Sequence, residues 1–320
     1  DPIKEIFLRQ RAPRIAVLGE AGIALPALIN ALAGRTVLSA PLLRGPWTAV
    51  RGAGTVEWAD LRESGSSPPE PADLYLFVGS VHAGMVPDAR RAAEVLASAA
   101  SREGGRPAGL AVMVFGDRGE TSAVLSALAD AGASASVVFS THLARRGIEA
   151  GFPAEERSAL GDRLCDYLPE DAQLELARFL AARGAQARLA GTVLKSFGAV
   201  AGVIGMQPLP LADFPVLLSL QMFMVSLIVY VSGRDFSPRL AGEFAASLGI
   251  GFGAGIVFRE AARAAVKILP VWGHMISGGV AGAGTYALGR AAIAYFIDGH
   301  TTASLRLPWR RDRSLPPAER

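Results

Sequence analysis

Lysine is nearly missing from this chain. Only Lys4, Lys195 and Lys267 occur, the remaining basic side chains are arginines, and the formal net charge is +3. So small a charge argues against nucleic acid as the main partner. The arginine bias reads first as codon usage and only second as a supply of phosphate-binding forks. Cysteine occurs once, which excludes an intrachain disulfide and suits a reducing compartment. In Leu164-Cys165-Asp166-Tyr167 no activating partner stands beside the thiol, so Cys165 reads as packed rather than nucleophilic. The four histidines, His82, His142, His274 and His300, lack ligand spacing, and no metal site is expected. The opening residues lack the apolar core of a signal peptide, so export by that route is not expected either. No residue set has the spacing of a hydrolase, which leaves a conventional enzyme as the least favoured class.

What the chain has in quantity is apolar residue, 51% against 19% charged, and the apolar part is unevenly spread. At 320 residues there is room for about two domains. From residue 14 to about 149, short apolar runs alternate with helical stretches. The runs are 14–18, 74–78, 110–115 and 136–139; the helix patterns are 26–33, 87–100 and 121–131. That alternation predicts βα units on a mostly parallel sheet, and runs that are apolar throughout suit strands covered on both faces. Residues 63–71 read as a flexible loop. Polar and amphipathic helices follow over 153–188, with a helix start at Pro169-Glu170-Asp171. Beyond Leu189 the composition turns to Gly, Ala, Leu and Val.

A phosphate-binding loop needs Gly-x-x-x-x-Gly-Lys-Ser/Thr after a strand and before a helix. Here the context is present and the chemistry is missing. Gly19-Glu20-Ala21-Gly22-Ile23-Ala24-Leu25-Pro26 puts Ala24 at the second glycine, Leu25 at the lysine and Pro26, which also lacks an amide donor, at the hydroxyl. The helix Ala27-Leu28-Ile29-Asn30-Ala31-Leu32-Ala33-Gly34 resembles the one after the phosphate loop of Era-like GTPases. On that resemblance, Ala72-Asp73-Leu74-Tyr75-Leu76-Phe77-Val78 is similar to the strand after the magnesium-sensing Asp-x-x-Gly loop. The loop itself is not recognisable: Asp60-Leu61-Arg62-Glu63 lies nearest and has no glycine. The guanine-reading Asn-Lys-x-Asp is replaced by Gly116-Asp117-Arg118-Gly119. Val138-Phe139-Ser140-Thr141-His142 with Arg146-Gly147-Ile148-Glu149 resembles the last conserved loop and its continuation. A triphosphate held without lysine, hydroxyl or magnesium ligands would be held weakly. The resemblance therefore implies a degenerate site at Gly19, Glu20, Gly22, Ala24, Leu25, Pro26, Gly116, Asp117, Arg118 and Ser140.

In the second half, residues 214–232 form an uncharged run about long enough to cross a bilayer. A helix opens at Ser237-Pro238 and is uncharged from 244 to 258. Arg259, Glu260, Arg263 and Lys267 follow, then a glycine-rich run over 271–289 with Arg290 at its end. Glycines recur four apart at Gly198 and Gly202, Gly249 and Gly253, and Gly278 and Gly282, the spacing of closely packed helices. The same pattern fits a membrane hairpin, a buried soluble bundle and an oligomer core. Pro208-Leu209-Pro210-Leu211-Ala212-Asp213-Phe214-Pro215, with Gln221-Met222, resembles the opening of the YcjF-type domain found behind Era-like GTPases. Leu269-Pro270-Val271-Trp272-Gly273 and residues 280–296 resemble its closing segment. The resemblance implies an association with membrane.

The expected architecture is α/β, a GTPase-like mostly parallel sheet with flanking helices, followed by an all-α apolar domain. Its divisions are an N-terminal extension (1–13), the α/β domain (14–168), the helical domain (169–298) and a basic tail (299–320). The expected role is a non-catalytic GTPase-like adaptor or assembly protein with no cofactor. Its partner is a protein or a second copy, with membrane as a further partner, at the cytoplasmic face of an inner membrane or in the cytoplasm. The rivals are a GTP–magnesium switch with an altered pocket and a structural subunit of a larger complex.

Overall fold

The computed structural model describes residues 7, 9–41, 47–62, 72–82, 84–102, 109–134, 137–141, 151–206, 213–248 and 273–301. The chain divides into two compact units. One is Asp1–Leu189 with Val231–Arg234, the other Ala190–Tyr230 with Asp235–Arg320.

The first unit is an α/β fold. Its strands are β1 (Arg14–Gly19), β2 (Thr48–Arg51), β3 (Thr55–Asp60), β4 (Leu74–Gly79), β5 (Leu110–Phe115) and β6 (Val137–Thr141). They form one sheet in the order β2-β3-β1-β4-β5-β6. Only β2 runs antiparallel to its neighbour, paired with β3 through the Gly52-Ala53-Gly54 turn. The central strands are buried along their whole length, β4 and β5 at every position. That explains their unbroken apolar sequences: both faces are covered, so no position is left for a polar side chain.

Among the described residues five helices accompany the sheet: α1 (Leu25–Ala33), α2 (Met85–Arg102), α3 (Arg118–Asp130), α4 (Ala154–Cys165) and α5 (Glu170–Phe179). One face of the sheet gives Ala16, Leu18, Tyr75, Phe77, Val112 and Val114 to a core closed by α2 and α3 through Ala89, Ala92, Val124 and Leu128. On the other, Phe179 of α5 packs against Trp58 of β3 with ring centroids 6.2 Å apart. Glu175 and Arg178 of α5 are also buried: Glu175 accepts from the Thr55 amide at 2.6 Å and from Arg178 at 3.1 Å. Arg178 donates in turn to the Arg234 carbonyl at 3.3 Å. The division falls at the change of composition beyond Leu189 rather than at residue 169. Residues 170–189 belong with the α/β unit because α5 is bound to β3 and to the tip of its hairpin, where a Cβ at Gly54 would run into the Glu175 carbonyl.

The second unit contains most of α6 (Arg183–Gly205), then α7 (Asp213–Val231), α8 (Pro238–Ser247) and α9 (Gly273–Phe296). Ser237 caps α8 by accepting from the Leu240 amide, and Pro238 occupies its first turn. Helix α9 runs unbroken through its glycines and through Arg290.

Candidate functional site

The order of the strands reverses at β1. From it the chain goes first to β3 on one side and then to β4 on the other. In open α/β sheets the crevice beyond the carboxyl ends of strands at such a reversal is where ligands bind. The residues just past β1, β3 and β4 therefore define the candidate site, and they hold one another.

Gly19 ends β1 with φ of +100°, a conformation glycine adopts freely. This turns the chain so that the Glu20 amide donates to the Val78 carbonyl of β4 at 2.9 Å. The Glu20 side chain is buried and accepts from the Ser80 hydroxyl at 2.8 Å. From the β3 side, Arg62 grips Asp60 through two donors at 2.8 Å each, and its remaining nitrogen donates to the carbonyls of Glu20 at 3.1 Å and Ile23 at 2.6 Å. His82 closes the cluster. Its Nδ1 faces the Ser80 carbonyl at 2.8 Å and its Nε2 faces Asp88, in the first turn of α2, at 3.1 Å. A carbonyl only accepts, so Nδ1 carries a proton. Burial raises the Asp88 carboxyl above its ordinary value, and His82 opposes that shift.

A phosphate cradle turns free amide N–H groups and a basic side chain towards an anion; in this loop two amides are already committed and the buried side chain is acidic. Here the amide of Glu20 is spent on Val78 and that of Ile23 points back to the Glu20 carbonyl at 3.5 Å. Pro26 has no amide hydrogen, and the loop carbonyls face a guanidinium. The first loop side chain is itself a buried carboxylate. Leu25, at the lysine position, is buried as the first residue of α1; Ala24 precedes it without a side-chain cap, and Gly22 is exposed in the turn. Asn30, in the helix that resembles the GTPase helix, pins the following segment by accepting from the amides of Val37 and Leu38 and donating to the Leu38 carbonyl.

The other expected positions have local explanations. Asp117 is the N-cap of α3 in a capping box: it accepts from the Glu120 amide at 2.9 Å while the Glu120 carboxylate accepts from the Asp117 amide at 2.8 Å. Gly116 leaves room for that carboxylate, since a Cβ there would strike Glu120. Arg118 is the exposed first residue of α3, and its carbonyl accepts from Ser122. Ser140 lies in β6 beside Val114 of β5. His142 and residues 146–149 lie outside the described residues. Sequence reasoning missed Arg62, Ser80, His82 and Asp88. The available signal was the pair of short patterns Asp60-x-Arg62 and Ser80-x-His82, each just past a strand that flanks β1.

In the helical unit, Gly198 and Gly202 of α6 face Gly282 of α9. A Cβ on Gly282 would lie 3.2 Å from the Gly198 carbonyl oxygen and 3.6 Å from the Gly202 Cα, so the two backbones nearly touch. Gly278 is one turn earlier in α9, and Gly249 and Gly253 lie outside the described residues. Gly289 faces Leu194 of α6 and Met224 of α7, and Gln221 of α7 donates to Thr285 of α9 at 3.0 Å. Phe197 of α6 meets Phe223 of α7 at 5.9 Å between centroids. These contacts orient α6 antiparallel to both α7 and α9. Among the described residues, one helix, Arg183–Gly205, is long and apolar enough to cross a membrane, and a third of its apolar window (33%) is buried.

No family model matches the chain. It is 28% identical over 118 residues to magnetosome membrane protein 22 of Magnetospirillum gryphiswaldense. The match covers 35% of this chain and 59% of that protein, so the chain spans about three fifths of the relative it resembles.

Proposed function

We propose that this chain is a GTPase-like adaptor or assembly protein that has lost nucleotide chemistry, and that its helical unit associates with a membrane. The observation that carries the first half is the crevice at the reversal of strand order. Its loop carbonyls bind Arg62 and its buried side chain is Glu20, a self-satisfied cluster where a nucleotide fold would receive an anion. To admit a triphosphate, the protein would have to unmake those bonds and bring like charges together. The second half is supported by the uncharged helices, by the close glycine contact of α6 with α9, and by the membrane protein to which part of the chain is similar. In this reading the α/β unit is a protein-binding platform, the molecule has no catalytic residues and needs no cofactor, and it works at a cytoplasmic membrane face.

The test is thermal unfolding with GTP, GDP or ATP and magnesium. A ligand that binds only the folded chain raises its stability, by about 2.7 kcal/mol at a hundredfold excess over Kd. The expected result is no shift of the midpoint up to millimolar nucleotide. A rise at micromolar GTP that ATP fails to produce would establish the rival reading, a GTP switch with an altered pocket.

A further inference from the structure

Along α6 from Ala190 onward, and along α7 and α9, the exposed charges among the described residues stand at one level. On α6, Lys195 is exposed, and past it the exposed side chains are Ala199, Val200, Val203 and Met206. On α9 the exposed positions from Gly279 to Ala287 carry no charge, and Arg290 then stands exposed. Contact of Gly289 with Leu194 puts Arg290 and Lys195 at one level of the bundle. On α7, Met224 lies at that same level, and the exposed residues before it include Val216 and Leu218. Three helices tied together by glycine, glutamine and phenylalanine contacts thus end in one nose whose exposed side chains over 199–206, 215–223 and 279–287 carry no charge, below a collar of two cations. Val203 and Val216 are more than half exposed (56% and 54%), a poor arrangement in water and a good one in hydrocarbon.

We infer that this nose enters one leaflet of a lipid bilayer and that Lys195 and Arg290 meet anionic headgroups at its surface. The inference rests on the membrane part of the proposed function and supplies its partner and its mode. The length bounds the depth: from Lys195 to Met206 is eleven residues, about 17 Å of helix, so the nose reaches no further than about the middle of a hydrocarbon core about 30 Å thick. Two polar side chains inside the nose have protein partners, as a medium without water demands. The exposed Ser219 hydroxyl donates to the Pro215 carbonyl at 2.8 Å, and Gln221 is bound to Thr285. Tyr286, exposed one turn from Arg290, sits where an amphipathic ring belongs at a membrane surface. A second copy of the chain is the poorer occupant, because packing nose to nose would bring one cationic collar towards another. Asp213 opens α7, and the cost of carrying a carboxylate into hydrocarbon limits how deep that end goes.

The test is flotation of the full chain on a density gradient, with vesicles of phosphatidylcholine alone and of equal parts phosphatidylcholine and phosphatidylglycerol. Two variants accompany it: a nose variant, Val203→Asp with Val280→Asp, and a collar variant, Lys195→Gln with Arg290→Gln. All four positions are exposed, and far-ultraviolet circular dichroism checks that each variant is folded. The parent chain is expected to float with the mixed vesicles and less with neutral ones. The collar variant is expected to lose that preference, and the nose variant to stay at the bottom with both. Variants that float like the parent overturn this inference and leave the membrane reading standing. A parent chain that floats with neither vesicle overturns both. So does a parent chain that stays in solution as an oligomer that the nose variant takes apart, since the covering partner is then a second copy.

Discussion

Gly19 serves the fold before it serves any ligand. Its φ of +100° lies in the region that side chains avoid, and a Cβ would collide with the Val78 carbonyl that receives the Glu20 amide. The turn from β1 alone accounts for a glycine at this position, with or without a ligand in the loop. Asp117 teaches the same lesson. Its sequence context suggested a damaged base reader, while the residues Asp-x-x-Glu spelled a capping box that the structure contains. Cys165 is simpler. Burial, with the Asp162 charge adding to it, pushes its thiol up to about 12. An unfolded cysteine titrates near ~8.5, so the folded state holds the proton more tightly. The stability this contributes is complete below about pH 8.5 and is lost as pH rises towards 12. At neutral pH an aromatic disulfide reagent is expected to find no reactive thiol in the native chain and one after denaturation; rapid reaction of the native protein would refute the packed-thiol reading.

At the scale of elements, the central strands were legible and the hairpin was not. Strands β1, β4 and β5 announce themselves as apolar runs because helices cover both their faces. Strands β2 and β3 carry Thr48, Arg51, Thr55 and Glu57 among their residues and turn through two glycines, so their pattern resembles a polar loop. The cluster beside β1 was illegible for a different reason: Glu20, Arg62 and His82 are far apart in sequence and meet only because the strand order reverses there. The start of helix α5 is legible in Pro169-Glu170-Asp171, and its unit is legible only in the change of composition beyond Leu189, since nothing local says that Glu175 and Arg178 reach the β2–β3 hairpin. Their side chains are nearly buried (11% and 6% exposed), which makes the pair expensive to break singly. Arg178→Met is expected to cost about 3–5 kcal/mol by stranding Glu175, read as a lowered denaturant midpoint. Adding Glu175→Leu is expected to recover a large part of it, and a double variant as unstable as the sum of the singles would show that the two act independently.

At the scale of the whole molecule, the chain crosses between its two compact units three times, at Leu189/Ala190, Tyr230/Val231 and Arg234/Asp235. The short return is structural: Gly233 lies 3.4 Å from the Ala53 side chain by its ideal Cβ, and the Arg234 carbonyl accepts from Arg178. A fragment ending at Leu189 loses that acceptor and leaves the flank of the β2–β3 turn uncovered. Its unfolding midpoint is expected to fall below that of the α/β unit in the full chain, checked by heating both and following the fluorescence of Trp47 and Trp58, with Trp272→Phe and Trp309→Phe in the full chain. An unchanged midpoint would mean that Val231–Arg234 only rests on the unit. Domains joined like beads on a string can be exchanged by recombination at one junction. Here a recombined gene would have to carry the four returning residues together with a host that offers a matching arginine on α5, so a single junction does not separate the two halves cleanly.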